Sequence, residues 1–335
     1  MELTVVIPTR DRLATLRETL TRLERQEGDS AFEVIVVDDG SNDGTPNALR
    51  EAAPRFPLSL LENGGRGPAS ARNRAIEAAR GAACLFINDD TWPAPGLVAR
   101  HAAFHRRHPE PAAALLGRIA LAAEPPPTPL MRWLADQHFD LAVEDPEDIG
   151  GRRFFTANVS AKTAFLREAG GFDEGFPAAA HEDVDLGLRL ERRGLRLAYD
   201  AEAVVEHSHP FDLPRAIDRM REVGWTLAPF VERHPGWPVP RRPGLRHRVK
   251  ALALTPPAAA RATSPRLRRE IWRFLCHEAT REGYWDAVEG RERGWGAAAR
   301  GPRIGRTLAR IAARDEEARL PATAAAASAP RRPAA

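Results

Sequence analysis

Cysteine is nearly absent from this 335-residue sequence: Cys84 and Cys276 stand far apart, each among apolar neighbours. That excludes a disulfide framework or a cysteine-based metal cluster and suits a reducing compartment. Lysine is equally scarce, with Lys162 and Lys250 the only two among 49 basic residues, so arginine carries the positive charge. No apolar run reaches the roughly 18 residues of a membrane span. The first residues enter a strand-like run with no basic leader or small-residue cleavage site, so a cytoplasmic protein, at most peripheral on a membrane, is expected. No Gly-x-Gly-x-x-Gly follows the first strand and no Gly-x-x-x-x-Gly-Lys occurs anywhere, which disfavours ordinary dinucleotide and ATP sites.

The net charge of +3 conceals an asymmetry. From Arg241 onward 21 basic residues face 9 acidic ones, whereas the first 240 residues hold 28 against 37. The basic end suits either an anionic membrane surface or a plain solvated, arginine-rich face. Nucleic acid is not an expected partner.

The first 90 residues alternate strand and helix patterns, as βαβ units with a parallel sheet require. Leu3 to Ile7 reads as a buried strand, and Leu13, Leu16, Leu20 and Leu23 form one stripe of the following helix. Phe32 to Val37, Leu58 to Leu61 and Ala82 to Ile87 read as further strands, with helices over Thr45 to Ala53 and Ala69 to Arg80. A proline-rich loop lies at Glu124 to Pro129. A second block, Thr156 to His209, holds two helical patterns and a terminal strand, Ala203 to Val205. Beyond Pro243 come helix-compatible segments at Pro265 to Glu282 and Arg303 to Arg314, then an Ala/Pro/Arg tail without apolar periodicity from Pro321.

Two strands end abruptly in polar residues, Asp38-Asp39-Gly40-Ser41 and Asn88-Asp89-Asp90. Ligands of open α/β sheets sit beyond the carboxyl ends of strands, so both clusters are expected at one crevice. The first is either a tight turn permitted by Gly40 or a carboxylate that accepts hydrogen bonds from a base or ribose. The second is either an acidic turn or a hard-cation site for Mg²⁺ or Mn²⁺ in which a diphosphate supplies further oxygens. Arg72 and Arg74 follow Gly64-Gly65-Arg66-Gly67 at a helix start, where a guanidinium and free amides can face phosphate. Glu182-Asp183 opens a helix, where acids serve either as dipole caps or, for one of them, as a general base. His207 and His209 alternate around Ser208, so both rings share one side of a strand end. One of them can complete a metal site, which would favour Mn²⁺ over Mg²⁺.

In this order the segments resemble family 2 glycosyltransferases of the GT-A fold, over about residues 1 to 230. Val5-Val6-Ile7-Pro8-Thr9-Arg10-Asp11-Arg12 is similar to the opening strand and donor-binding turn, and Val36-Val37-Asp38-Asp39-Gly40-Ser41 to the base-recognising segment. Phe86-Ile87-Asn88-Asp89-Asp90 resembles the metal-binding Asp-x-Asp motif. Gly170-Gly171-Phe172-Asp173-Glu174 with His181-Glu182-Asp183-Val184-Asp185-Leu186 resembles the acceptor loop and the Glu-Asp pair.

The resemblance implies an α/β GT-A nucleotide-diphospho-sugar transferase fold: a mixed, mostly parallel sheet flanked by helices, with a C-terminal helical extension. It places the transferase domain at 1–235, divided into a nucleotide-binding half (1–100) and an acceptor half (101–235); the helical extension (244–320) and the disordered tail (321–335) are read from composition alone, since nothing beyond Pro243 matches the family. It implies inverting transfer from a nucleoside-diphosphate sugar to a hydroxyl of a saccharide or lipid-linked acceptor, in cell-surface polysaccharide or glycolipid synthesis. Asp183 would be the base, with Glu182 beside it. Pro8, Thr9, Arg10, Asp38, Asp39, Arg72 and Asp89 would hold the donor, and Asp90 and His207 the divalent metal, Mn²⁺ or Mg²⁺. Asn88 departs from the pattern, standing where many members carry the first acid, which makes Asp90 the direct ligand. The competing reading is a non-catalytic nucleotide-sugar-binding protein of the same fold.

Overall fold

The computed structural model describes residues 1–139, 141, 143–176, 178–208, 212–242 and 264–291. Eight strands form one sheet: β1 (Leu3–Thr9), β2 (Phe32–Asp38), β3 (Leu58–Glu62), β4 (Ala83–Ile87), β5 (Thr91–Pro93), β6 (Ala113–Leu121), β7 (Asn158–Lys162) and β8 (Arg196–His207). Their spatial order is β3-β2-β1-β4-β7-β6-β8-β5. The first four pair in parallel, β7 runs antiparallel to both β4 and β6, and β5 runs antiparallel to β8. The sheet is therefore mixed.

Alternation within β1 divides the core. Val5 and Ile7 face one side of the sheet with Val34, Val36, Leu85 and Ile87, against Leu16 and Leu23 of helix α1 (Leu13–Glu24) and Leu97 of α4 (Leu97–Arg107). Val6 faces the other side with Ile35, Val37 and Phe86, against Ala71, Ala75 and Ile76 of α3 (Pro68–Ala78) and Leu186 of α7 (Glu182–Glu191). Each fully buried leucine in such a layer contributes about 1.5–3 kcal/mol over its exposed state. The leucine stripe expected on α1 is the face turned to the core, with Leu16 and Leu23 buried and Leu13 and Leu20 partly exposed.

The remaining helices are α2 (Thr45–Glu51), α5 (Pro129–His138), α6 (Thr163–Glu168), α8 (Leu213–Arg233) and α9 (Pro265–Val288). α7 packs closely on the 3-10 turn Gly151–Arg153, because Gly187 faces the Gly151 carbonyl where any side chain would overlap it. α9 lies along α8 through the same device, Gly224 against the Thr280 carbonyl and Gly283 against that of Arg221. The segment expected as a helix to Glu282 continues to Val288, since Tyr284 and Trp285 still pack against α8-side residues. The second expected helix, Arg303 to Arg314, and the tail from Pro321 lie outside the described residues, as does His209.

The strand read at Ala203 to Val205 is the end of the twelve-residue β8. Its first half carries Arg196, Tyr199 and Asp200, which pair with β6 through backbone bonds and leave no apolar run to read. No described helix is long and apolar enough to cross a membrane.

Candidate active site

Parallel register sets Thr9, at the end of β1, beside Asp38, at the end of β2. The turns after these strands are stitched together: Asn42 N donates to Asp11 Oδ1 at 2.7 Å, Asp11 N to Ser41 Oγ at 2.8 Å and Leu13 N to Asp43 Oδ2 at 2.8 Å. Asp38 uses its carboxylate to close its own turn, accepting from Gly40 N at 3.2 Å and Ser41 N at 3.1 Å. Asp39 reaches across to the next loop, accepting from Asn63 Nδ2 at 2.6 Å and Gly67 N at 3.1 Å. Arg10 is exposed, with Nη1 3.9 Å from Asp39 Oδ2, and Pro8 precedes Thr9 half-buried on β1.

At the end of β4, Asp89 and Asp90 are both buried. Thr9 Oγ1 donates to Asp89 Oδ2 at 2.8 Å, and buried Thr19 of α1 donates to the Asp89 carbonyl at 2.8 Å. Burial, and next the adjacent Asp90, push the Asp89 carboxyl up to about 6, against the pull of Arg12 and Thr9. Arg12 Nη1 lies 3.2 Å from Asp89 Oδ1 and is bonded to Asp90 Oδ2. His207 arrives on β8, paired in register with Thr91 of β5, which sets its Nε2 3.7 Å from Asp90 Oδ1. The Ser208 amide fixes the Asp90 carbonyl at 2.8 Å.

Arg72 joins this cluster to α7. It lies in the second turn of α3 rather than at the helix start, and its side chain is 5% exposed. Its Nη1 donates to Glu182 Oε1 at 2.9 Å and its Nη2 to Asn88 Oδ1 at 3.3 Å. The amides expected to face a ligand at this helix start are partly committed, since Gly67 N serves Asp39. Glu182 is completed by Ala180 N, which donates to Oε2 at 2.6 Å. Asp183 accepts from Val184 N at 2.8 Å and Thr156 N at 3.4 Å. Burial and then neighbouring Glu182 push its carboxyl up to about 6, with Arg72 opposing.

The residues read as site candidates thus gather at one end of the sheet, with one guanidinium between Asn88-Asp89-Asp90 and Glu182-Asp183. Asp38 and Arg72 stand inside the framework, bonded to the protein itself. In the sequence Arg12 is only part of the donor-binding turn, with no role of its own, although two adjacent buried acids call for a compensating cation. The turn after β1 could have been searched for one, because β1 is the parallel neighbour of β4.

Among the described residues no three His, Cys, Asp or Glu side chains form a closed metal site. The donor set nevertheless fits a hard divalent ion of the kind held by one or two carboxylates plus substrate phosphates: Asp89 and Asp90 are adjacent and buried, an imidazole stands beside them, and a cationic nitrogen touches both acids.

An α/β sheet with its acids collected beyond the ends of β1, β2 and β4 is the arrangement expected of the GT-A class of transferases. Comparison with known proteins supplies the family. The profile described as Glycosyl transferase family 2 matches residues 4–155. The chain is 30% identical over 276 residues to the uncharacterised glycosyltransferase YfnE of Bacillus subtilis (strain 168), covering 66% of this chain and 68% of that protein. It is 31% identical over 268 residues to validoxylamine A glucosyltransferase of Streptomyces hygroscopicus subsp. jinggangensis (strain 5008), covering 70% and 61% respectively. Among solved structures, the mannosyltransferase PcManGT from Pyrobaculum calidifontis, in complex with GDP-Man and Mn²⁺, superposes with a TM-score of 0.53 at 20% identity, covering 95% of this chain and 88% of that one. TarS 1–349 of S. aureus gives 0.52 at 18%, covering 89% and 94%. The chain belongs to glycosyltransferase family 2 and has the GT-A fold. It spans about three fifths to two thirds of the length of these two sequence relatives.

Proposed function

We propose that this protein transfers a sugar from a nucleoside-diphosphate donor to an acceptor hydroxyl by a single displacement with inversion, within a transferase unit of residues 1–235. The observation that supports the reading is the Arg72 bridge, which joins Glu182, next to Asp183, to Asn88, next to the strand-end acids. Asp183 is the base. A carboxyl at about 6 is ionised at neutral pH yet basic enough to take the acceptor proton as the hydroxyl attacks the anomeric carbon. Glu182 and Arg72 hold each other and thereby fix the start of α7.

On the donor side, Thr9 orients Asp89, and Asp39 with Arg10, between the first two turns, would receive the base and ribose. Asp38 serves by shaping that turn, and Pro8 by fixing the backbone that presents Thr9 and Arg10. Asp90 and His207, with Asp89 adjacent, would hold a divalent ion that, when bound, neutralises charge on the departing diphosphate. The Mn²⁺ bound in the Pyrobaculum calidifontis mannosyltransferase supports Mn²⁺ as that ion. A cytoplasmic enzyme of surface polysaccharide or glycolipid synthesis fits this chemistry.

The test is Asp183→Asn, assayed with UDP- and GDP-sugars for nucleoside-diphosphate release and by calorimetry for donor binding. Donor affinity is expected to persist while transfer falls by about 10²–10⁴-fold, the contribution of a positioned base. Turnover near the wild-type rate would overturn the assignment.

A further inference from the structure

Asp89 and Asp90 are consecutive carboxylates whose side chains are 7% and 6% exposed, and both turn an oxygen to the same arginine nitrogen. Asp89 spends Oδ2 on Thr9, so the oxygens that meet Arg12 are Asp89 Oδ1 and Asp90 Oδ2. A single cationic atom in contact with both carboxylates stands where an ion bridging them would stand. His207 approaches the other oxygen of Asp90, Oδ1, so the imidazole and the guanidinium do not compete for one position.

The two sides of this contact differ in exposure. The acids stand on a fixed backbone, with Thr19 on the Asp89 carbonyl and the Ser208 amide on the Asp90 carbonyl, and Thr9 holds the Asp89 carboxylate itself. Arg12 sits on the turn before α1, with its backbone outside the helical region and its side chain 36% exposed. A long side chain reaching inward from solvent can withdraw along the path by which it entered, whereas the carboxylates cannot follow it.

We propose that Arg12 is an exchangeable internal cation. It holds the Asp89 and Asp90 carboxylates together in the free protein and gives up its place between them when a divalent ion binds. This rests on the reading of Asp90 and His207 as the metal side of the donor pocket. The consequence is a metal site that the protein closes against free metal. Arg12 and the ion repel each other, so the metal alone binds weakly. A nucleoside diphosphate brings negative charge both for the ion and for the released guanidinium at the crevice rim. Loading then depends on the nucleotide, which keeps the two carboxylates from capturing an ion that no donor accompanies.

The probe is Mn²⁺ itself, with free ion counted by electron paramagnetic resonance in titrations of the full chain. Wild type is expected to bind Mn²⁺ weakly alone and more tightly with UDP or GDP. Arg12→Met should bind Mn²⁺ alone at least about tenfold more tightly, because the competing like charge is gone. Asp90→Ala added to that variant should erase the gain. In EDTA the Arg12→Met protein should melt below wild type, its acids left without a counter-charge, and Mn²⁺ alone should restore its Tm while scarcely moving that of wild type. Arg12→Lys, which retains a charge, covers the case in which the methionine variant fails to fold, and should fall between the two.

Equal Mn²⁺ affinity in folded wild type and both variants would make Arg12 a permanent ion pair and overturn the exchange, leaving the donor reading in place. Absence of Mn²⁺ binding in every variant, with and without either nucleotide, would overturn both.

Discussion

Two buried polar clusters lie in the same sheet and are built on opposite electrical plans. At the strand ends, Asp89, Asp90, Glu182 and Asp183 are held against the part-exposed Arg12 and the buried Arg72, so acids and guanidinium groups are gathered in one cluster. Beneath α4, His101, His105, Asn158 and Ser160 form a network with no acid. Ser160 Oγ meets His101 Nδ1 at 2.7 Å and His105 Nε2 at 2.8 Å, and Asn158 Oδ1 meets His101 Nε2 at 3.1 Å. Burial takes these imidazoles down to about 4 and about 3, so both are neutral at pH 7. Asn158 also donates to the carbonyls of Arg118 and Ala203, which ties β7 to β6 and β8. The difference teaches that perturbed ionisation alone does not mark a site. The histidine cluster is largely satisfied from within and fastens a helix to a sheet, whereas the carboxylate cluster holds its acids ready for a ligand.

The sharpest way to break the contrast is to remove the cation that closes the charged cluster. Arg72→Met leaves Glu182 buried with its charge unanswered, and losing one partner of a buried pair costs about 3–5 kcal/mol. Denaturant unfolding should show that loss, and transfer should fall with it because Glu182 no longer fixes the entry to α7. A variant as stable as wild type would mean that water or another group answers the Glu182 carboxylate, and the bridge would not be the element that joins the two halves of the site.

Changing pH should move the two clusters in opposite directions. Unfolding returns His101 and His105 to about 6.5, so between pH 6.5 and 4 the unfolded chain binds more protons and the folded state loses stability as pH falls. The loss approaches about 3 kcal/mol for each imidazole once the window has been crossed. Asp89 and Asp183 behave in reverse. Their carboxyls stand near 6 folded and near 3.8 unfolded, so the folded state keeps protons that the unfolded chain releases, and acidification favours folding until pH 3.8. Their destabilising contribution is fully present above pH 6. Asp183→Asn removes part of this counterweight, so its stability should drop more steeply than that of wild type from pH 6.5 to 4.5 in guanidinium melts. Parallel profiles for the two proteins would show that Asp183 ionises normally. Catalysis carries the same signature, since kcat/KM of wild type should fall below pH 6 as the base takes its proton.

How much of this could be read from the chain follows from where each interaction lies in sequence. β1, β2 and β4 announce themselves because their apolar runs are buried on both faces, and the polar residues that end them mark the crevice. β6 and α5 do not: Ala113–Leu121 and Pro129–His138 sit among alanines and prolines without a clean period, and β6 is fixed by pairing with β7 and β8 rather than by its own pattern. In the site, Asp183, Asp90 and His207 are legible as acids and an imidazole at element ends. The partners that decide their chemistry are not. Arg12 lies 77 and 78 residues from the acids it meets, and Arg72 lies 110 from Glu182. The sequence likewise cannot separate Asp38, whose carboxylate turns back on its own loop, from Asp39, which reaches to Asn63. Adjacent acids diverge only when the backbone sends them to opposite sides.

The smallest expected effect tests whether α8 helps to aim the base. His181 enters α7 in a left-handed conformation, φ 69°, which an imidazole adopts only when its surroundings hold it there. Its Nδ1 meets Thr226 Oγ1 of α8 at 2.9 Å, and its ring lies 5.1 Å from that of Phe230. Thr226→Val keeps the volume and deletes the hydroxyl, which should cost about 1 kcal/mol of stability. Because Glu182 and Asp183 follow His181 directly, the same change should lower kcat a few-fold while leaving donor binding as it was. A purely structural bond would move stability alone. A fall in kcat at unchanged donor affinity, in a protein only slightly less stable, would place His181 and Thr226 among the residues that position Asp183 against the acceptor hydroxyl.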